Sequence, residues 1–137
     1  MSKLLQRLQD ARRSGVYRVR RVDEVLDATR GSGLDVVRIS LLQKTTAIQS
    51  IAAALDFPDW FGGNWDALED CLSDLSWRAG DGHVLLLEQA PAGDEHGILL
   101  DVLGACAESW AARGRPFFAV FVDAPGALAL PELFREK

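Results

Sequence analysis

Two runs, HVLLLE at residues 83–88 and FFAVFV at residues 117–122, are unbroken apolar stretches bounded by Gly and Pro. A strand with one wet face alternates polar and apolar side chains. These runs do not alternate, so they predict strands buried on both faces, as in a parallel sheet covered by helices. Between them, EHGILLDVLGACAESWAAR places Leu99, Val102, Leu103, Cys106 and Trp110 on one stripe of a helix, with Gly114 as its stop. Strand, crossover helix, strand is the connection that parallel pairing needs.

Working outward, LDVVRISLL (34–42) and VYRV (16–19) read as strands. TTAIQSIAAALDF predicts a helix over 45–55, ended by the extended preference that Pro58 imposes on Phe57. RVDEVLDATR reads as a helix closed by Gly31, and Leu4, Leu5, Leu8 and Ala11 fall at helical spacing, with Ser2 as N-cap and Gly15 as stop. The tail PGALALPELFREK reads as a turn with a short helix. The alternation predicts an α/β fold: a small parallel sheet of three to four strands covered by helices, with right-handed crossovers. Residues 1–33 are expected to be an N-terminal extension packed on the domain, 34–123 the domain, and 124–137 a tail. No internal repeat or low-complexity segment is present.

A chain of 137 residues is long enough for one core and too short for two ordinary domains. Its 48% hydrophobic and 26% charged residues exclude long disorder and fibrous structure. MSKLLQRLQDARR leads into no apolar signal core, and other apolar runs are too short to span a bilayer, so a soluble cytoplasmic chain with no membrane partner is expected. Cys71 and Cys106 both fall in helical patterns and read as reduced core thiols. No Cys or His spacing suits a metal, so neither metal nor cofactor is expected. His83 and His96 read as solvated or capping residues.

The stretch FPDWFGGNWDALEDCLSDL (57–75) poses the functional question. Residues 45–77 hold six acids (Asp56, Asp59, Asp66, Glu69, Asp70, Asp74) and no Lys or Arg, whereas residues 1–44 hold ten basic and five acidic side chains. Such a negative field suits a cationic partner and repels nucleic acid. PDWFGG reads as a loop, with Asn64 capping the helix that follows. At 100° per residue, Leu68, Cys71, Leu72 and Leu75 share one arc, and Asp66, Glu69, Asp70, Ser73 and Asp74 lie opposite. Trp60 is expected at the surface, Phe61 in the core, and Trp65, Trp77 and Trp110 partly buried. The Gly62–Gly63 pair suits a loop that needs positive φ, close approach to a partner, or both.

Pro58, Asp59, Trp60, Phe61, Gly62, Asn64, Asp66, Ala67, Leu68, Asp70, Cys71 and Leu72 resemble, in one register, the signature of the barstar family, intracellular inhibitors of secreted ribonucleases. The resemblance covers roughly residues 35–123. It implies that loop and acidic helix plug a ribonuclease active site: Asp70 enters the phosphate-binding pocket, Asp66 meets basic residues one turn earlier, Trp60 packs on a catalytic histidine, and Gly62 and Asn64 lie beside them. Gly63, Glu69, Ser73 and Asp74 complete the expected partner-binding set. Glu69 replaces a tryptophan of the family pattern and Trp60 a tyrosine. A further family acid corresponds to Asp94 or Glu95, and residues 1–33 have no counterpart in the smallest members.

The expected partner is therefore a basic ribonuclease or ribonuclease-like toxin, bound by a chain that is monomeric when free and has no catalytic residues of its own. Two other readings compete. The chain could be an immunity protein or regulator for another basic protein. It could also be a hydrolase using Asp66, Asp70 and Glu69, but acid–base work needs carboxylates in unequal environments, one of them in a cleft.

Overall fold

A computed structural model of the chain describes residues 3–41, 46–91 and 93–134. In chain order the elements are α1 (Lys3–Leu8), a 3-10 turn (Ala11–Arg13), β1 (Gly15–Val19), α2 (Val22–Thr29), β2 (Asp35–Ser40), α3 (Ala47–Ala54), α4 (Trp65–Asp74), β3 (His83–Glu88), α5 (Asp94–Ala112) and β4 (Phe117–Val122). The four strands form one parallel sheet in the order β1-β4-β3-β2, in a register that sets Val37 beside Leu85, Leu85 beside Ala119, and Tyr17 beside Val120. This is the α/β architecture expected from the sequence.

The apolar runs of β3 and β4 are continuous because both faces are covered. Leu85, Leu87, Phe117, Ala119 and Phe121 pack with Ile51 of α3, Leu68 and Leu72 of α4, and Leu99, Leu103 and Cys106 of α5. Val84, Leu86, Phe118 and Val120 point the other way, onto Leu4 and Leu8 of α1 and Val25 of α2. The path explains the two layers. A right-handed connection moving one way across a sheet lies on one face, and one moving back lies on the other. The chain crosses outward once, from β1 to β2 through α2, and steps back from β2 to β3 to β4 through α3, α4 and α5.

Residues 3–33 supply the first strand, hydrogen-bonded to β4, and the helical layer over one face. Gly15 does not stop a helix. Helix α1 already ends at Leu8, and Gly15 opens β1 beside Ser14, whose Oγ accepts from the Phe117 amide at 3.0 Å. The tail forms no helix over residues 124–134. Instead the Arg18 amide donates to the Pro131 carbonyl and the Leu133 amide to the Arg18 carbonyl, both at 2.9 Å, and Leu133 is buried among the α1 and α2 side chains. Pro125 and Pro131 lack the N–H a helix would use, and the tail occupies the edge that β1 would otherwise leave open. The expected Ser2 cap, the strand end at Leu42 and the helix start at Thr45 lie outside the described residues. Thr46 caps α3, and its side chain and that of Gln49 accept each other's backbone amides at 3.1 and 3.2 Å.

Candidate functional site

Helix α4 is fixed at both ends by local chemistry. Asn64 Oδ1 accepts from the Ala67 amide at 2.7 Å, as the sequence predicts for its cap. Gly63 before it has φ of +78°, a conformation that disfavours a side chain. At the far end Leu75 takes the left-handed C-cap conformation (φ +47°) while its side chain remains buried. Leu68, Cys71, Leu72 and Leu75 are all buried, so the predicted stripe is the one that faces the core.

The helix lies on α5. Trp110 Nε1 donates to the Leu72 carbonyl at 2.8 Å, Ser73 Oγ lies 3.5 Å from Cys106 Sγ, and Cys106 Sγ lies 3.6 Å from the Glu69 carbonyl. Both thiols are buried and free. Burial pushes the Cys106 thiol up to about 11, partly offset by its bond with Ser73; burial, with Asp70 and Asp74 nearby, also raises Cys71. They are inert core thiols at neutral pH.

Across from the buried stripe, Asp66, Glu69, Asp70 and Asp74 are exposed, and Ser73 is half-buried. None of the four carboxylates has a salt-bridge partner among the described residues. Gly62, Gly63 and Asn64 are exposed at the mouth of the same helix, and Trp60, 66% exposed, stands in the loop just before it. Phe61 turns inward, edge-on to Phe57 at 4.9 Å, and Trp65 and Trp77 are half-buried, while Trp110 is fully buried. The nine expected partner-binding residues thus fall on α4 and the turn leading into it. Asp94 is exposed in the first turn of α5, whereas Glu95 is engaged, its carboxylate accepting from the Ala47 amide at 3.0 Å.

Tertiary structure brings cations that the local sequence lacks. The Arg113 guanidinium lies over the Trp110 ring at 4.0 Å and donates to the Ser73 carbonyl, capping the negative end of the α4 dipole. Arg78 binds both carboxylate oxygens of Asp35, at 2.7 and 3.0 Å, and reaches Asp56 at 3.2 Å. Asp56 is therefore answered, unlike the acids of α4 among the described residues. His83 is not solvated but buried at the start of β3, with Nδ1 2.9 Å from Asp35 Oδ2 and its ring edge-on to Trp110. A carboxylate only accepts, so Nδ1 carries the proton. Burial would raise the Asp35 carboxyl, but the bonds from Arg78 and His83 outweigh it and hold it below the usual range. Burial lowers the His83 imidazole despite the pull of Asp35. His96 is half-buried, with its ring edge-on to Phe121. No local signal marks the contacts of Arg78 and His83 with Asp56 and Asp35, since the partners lie 22 to 48 residues apart.

Two surface cavities of about 330 Å³ are lined by Lys3, Gln6, Arg7, Asp10, Arg13 and Phe134, and by Gln89, Ala90, Leu128 and residues 122–125. Neither takes a wall from α4. Among the described residues no group of three or more His, Cys, Asp or Glu is placed to hold a metal ion, and no helix is long and apolar enough to cross a membrane.

One family model, described as Barstar (barnase inhibitor), matches residues 35–122, from the first residue of β2 to the last of β4. The chain belongs to the Barstar family. No curated protein and no solved structure matches it. The barstar match takes in the whole of α4 and the Trp60 loop, and leaves α1, β1 and α2 outside. The description is that of an inhibitor of an enzyme, not of an enzyme.

Proposed function

We propose that the chain is a protein inhibitor that binds and occludes the cationic active site of a ribonuclease through the outer face of α4 and the Trp60 loop. The observation that carries this reading is the pairing of four exposed carboxylates, without a salt-bridge partner among the described residues, with an exposed indole at the mouth of the same helix. A ribonuclease concentrates cations to hold phosphate, and a carboxylate on a rigid helix takes the phosphate's place with charge-assisted hydrogen bonds. Trp60 adds the aromatic contact area typical of an interface centre. Asp66 and Asp70 are the acids that meet the enzyme, with Glu69, Ser73 and Asp74 around them and Gly62, Gly63 and Asn64 permitting close approach. No bond is made or broken, and no cofactor, metal or nucleic acid takes part. The free chain is a cytoplasmic monomer in this reading.

Charge layering favours the encounter. The acids of α4 lie on one side of the sheet, and Lys3 and Arg7 of α1 belong to the layer on the other, where Arg30 at the end of α2 is paired with Asp27. A basic enzyme is drawn to the acidic side first. The test is to present the immobilised chain with a panel of cationic ribonucleases and follow RNA hydrolysis as free chain is added. Stoichiometric loss of hydrolysis is expected for at least one. Retention without loss of activity would favour a regulator of another basic protein, and turnover of RNA or a glycoside by the chain alone would overturn the reading.

A further inference from the structure

We propose that Trp77 and Arg78, which lie beyond α4 and outside the acidic face, form a clamp that positions the partner-facing loop, residues 56–63. The inference deepens the inhibitor reading and rests on it for its consequence in binding. The clamp itself is a matter of geometry. The Arg78 side chain is only 19% exposed and spans two structures. Two of its nitrogens hold the Asp35 carboxylate at the first residue of β2, which His83 braces from β3. The third holds Asp56, where the loop leaves α3. Asp56 has φ of +54°, a strained conformation for a non-glycine residue, which the surrounding contacts must maintain.

Trp77 grips the same segment from beside it. Its Nε1 donates at 2.9 Å to the carbonyl of Leu55, the C-cap of α3, and its ring meets Phe57 edge-on at 5.8 Å and Trp60 at 6.5 Å. Trp60 is otherwise mostly in water, so Trp77 is the surface that gives the indole a preferred orientation. One dipeptide thus ties the root of the loop to the sheet and its aromatic tip to a fixed ring. Arg78 and Trp77 are positioning residues, and what they supply is a loop already in its bound shape.

Charge alone predicts the opposite effect of losing Arg78. Removing a cation from beside an acidic face would speed and tighten the capture of a basic enzyme. The clamp predicts weaker capture. The experiment measures acrylamide quenching of Trp60, isolated by difference against Trp60→Phe in each background, for the free wild-type chain and for Arg78→Gln, Asp56→Asn and Trp77→Phe. The affinity of each for an inhibited ribonuclease is measured alongside, with circular dichroism as the folding control. In the free chain, Trp60 quenching should rise in all three variants. Affinity should fall roughly tenfold in Arg78→Gln, non-additively with Trp60→Ala, because both act through one contact. Asp56→Asn leaves the Asp35 pair in place and keeps the test valid if Arg78→Gln does not fold. Unchanged quenching in the folded variants overturns the clamp even if no ribonuclease is bound. Tighter binding by Arg78→Gln, or full additivity with Trp60→Ala, overturns its role in recognition while leaving the inhibitor reading standing.

Discussion

Replacing Asp70 with alanine removes a carboxylate that is exposed on α4 and has no salt-bridge partner among the described residues. Within the chain the change relieves the like-charge contact with Asp66 one turn earlier, about 0.2–0.5 kcal/mol, and installs a better helix former, at most about 0.7 kcal/mol. The buried stripe of Leu68, Cys71, Leu72 and Leu75 is untouched. Stability should therefore hold or rise by up to about 1 kcal/mol. In the complex, losing one member of a buried, hydrogen-bonded charge pair costs about 2–5 kcal/mol or more, a general range that already includes a barstar complex. That is roughly a 30-fold to several-thousand-fold loss of affinity. Asp27→Ala on α2 is the control, because Asp27 lies across the sheet and its pair with Arg30 is largely exposed and worth about 0–1 kcal/mol. Thermal melts and titration calorimetry against an inhibited ribonuclease, at one salt concentration, compare the two variants with the parent. Equal affinity losses, or a fall of more than about 5 °C in the Tm of Asp70→Ala, would refute the assignment of this face.

Exposed charges are screened over about 8–10 Å at physiological salt, so the association rate with the enzyme should fall steeply as salt is added, and a flat stopped-flow dependence would show that α4 does not steer capture. Leu8→Ala, at a side chain fully buried on the opposite side of the sheet, should cost about 2–5 kcal/mol in urea unfolding yet leave the affinity of the folded protein unchanged. Stability should also depend on pH in two windows. Burial holds the folded-state imidazole of His83 below its ordinary value of 6.5, so as pH falls below about 6.5 the unfolded chain takes up a proton the folded chain refuses, and stability declines. Asp35 lies below 3.8 when folded, so its contribution, present above that pH, is lost as pH drops through the folded value. Urea midpoints from pH 7.5 to 5 should show the first decline, and His83→Asn should flatten it.

Strands β3 and β4, helix α5 and both stripes of α4 were legible because each is written in a local period: continuous apolar runs, or apolar residues three and four apart. Asn64 was legible as a cap for the same reason, since its partner is three residues away. Strand order was not. Nothing within residues 15–19 says that β1 joins β4, a partner about 100 residues on. His83 was misread because a polar residue at the head of an apolar run looks like a strand end in water. The carboxylate of Asp35 and the ring of Trp110, which make its burial tolerable, arrive from 48 residues before it and 27 after. Gly15 was misread because glycine marks both the end of a helix and the start of a tight strand entry.

The division of α4 into a buried and an exposed stripe also bears on how such a chain can change over generations. Substitutions at Asp66, Glu69, Asp70 or Asp74 change the charge and shape of the exposed surface without opening a void beneath Leu68 or Leu72. If this face meets the partner as proposed, mutational drift on it is filtered by binding and scarcely by folding. In the inhibitor reading proposed above, a lineage can follow a changing enzyme through many single steps, each leaving the fold intact, while the opposite stripe of the same helix tolerates almost none.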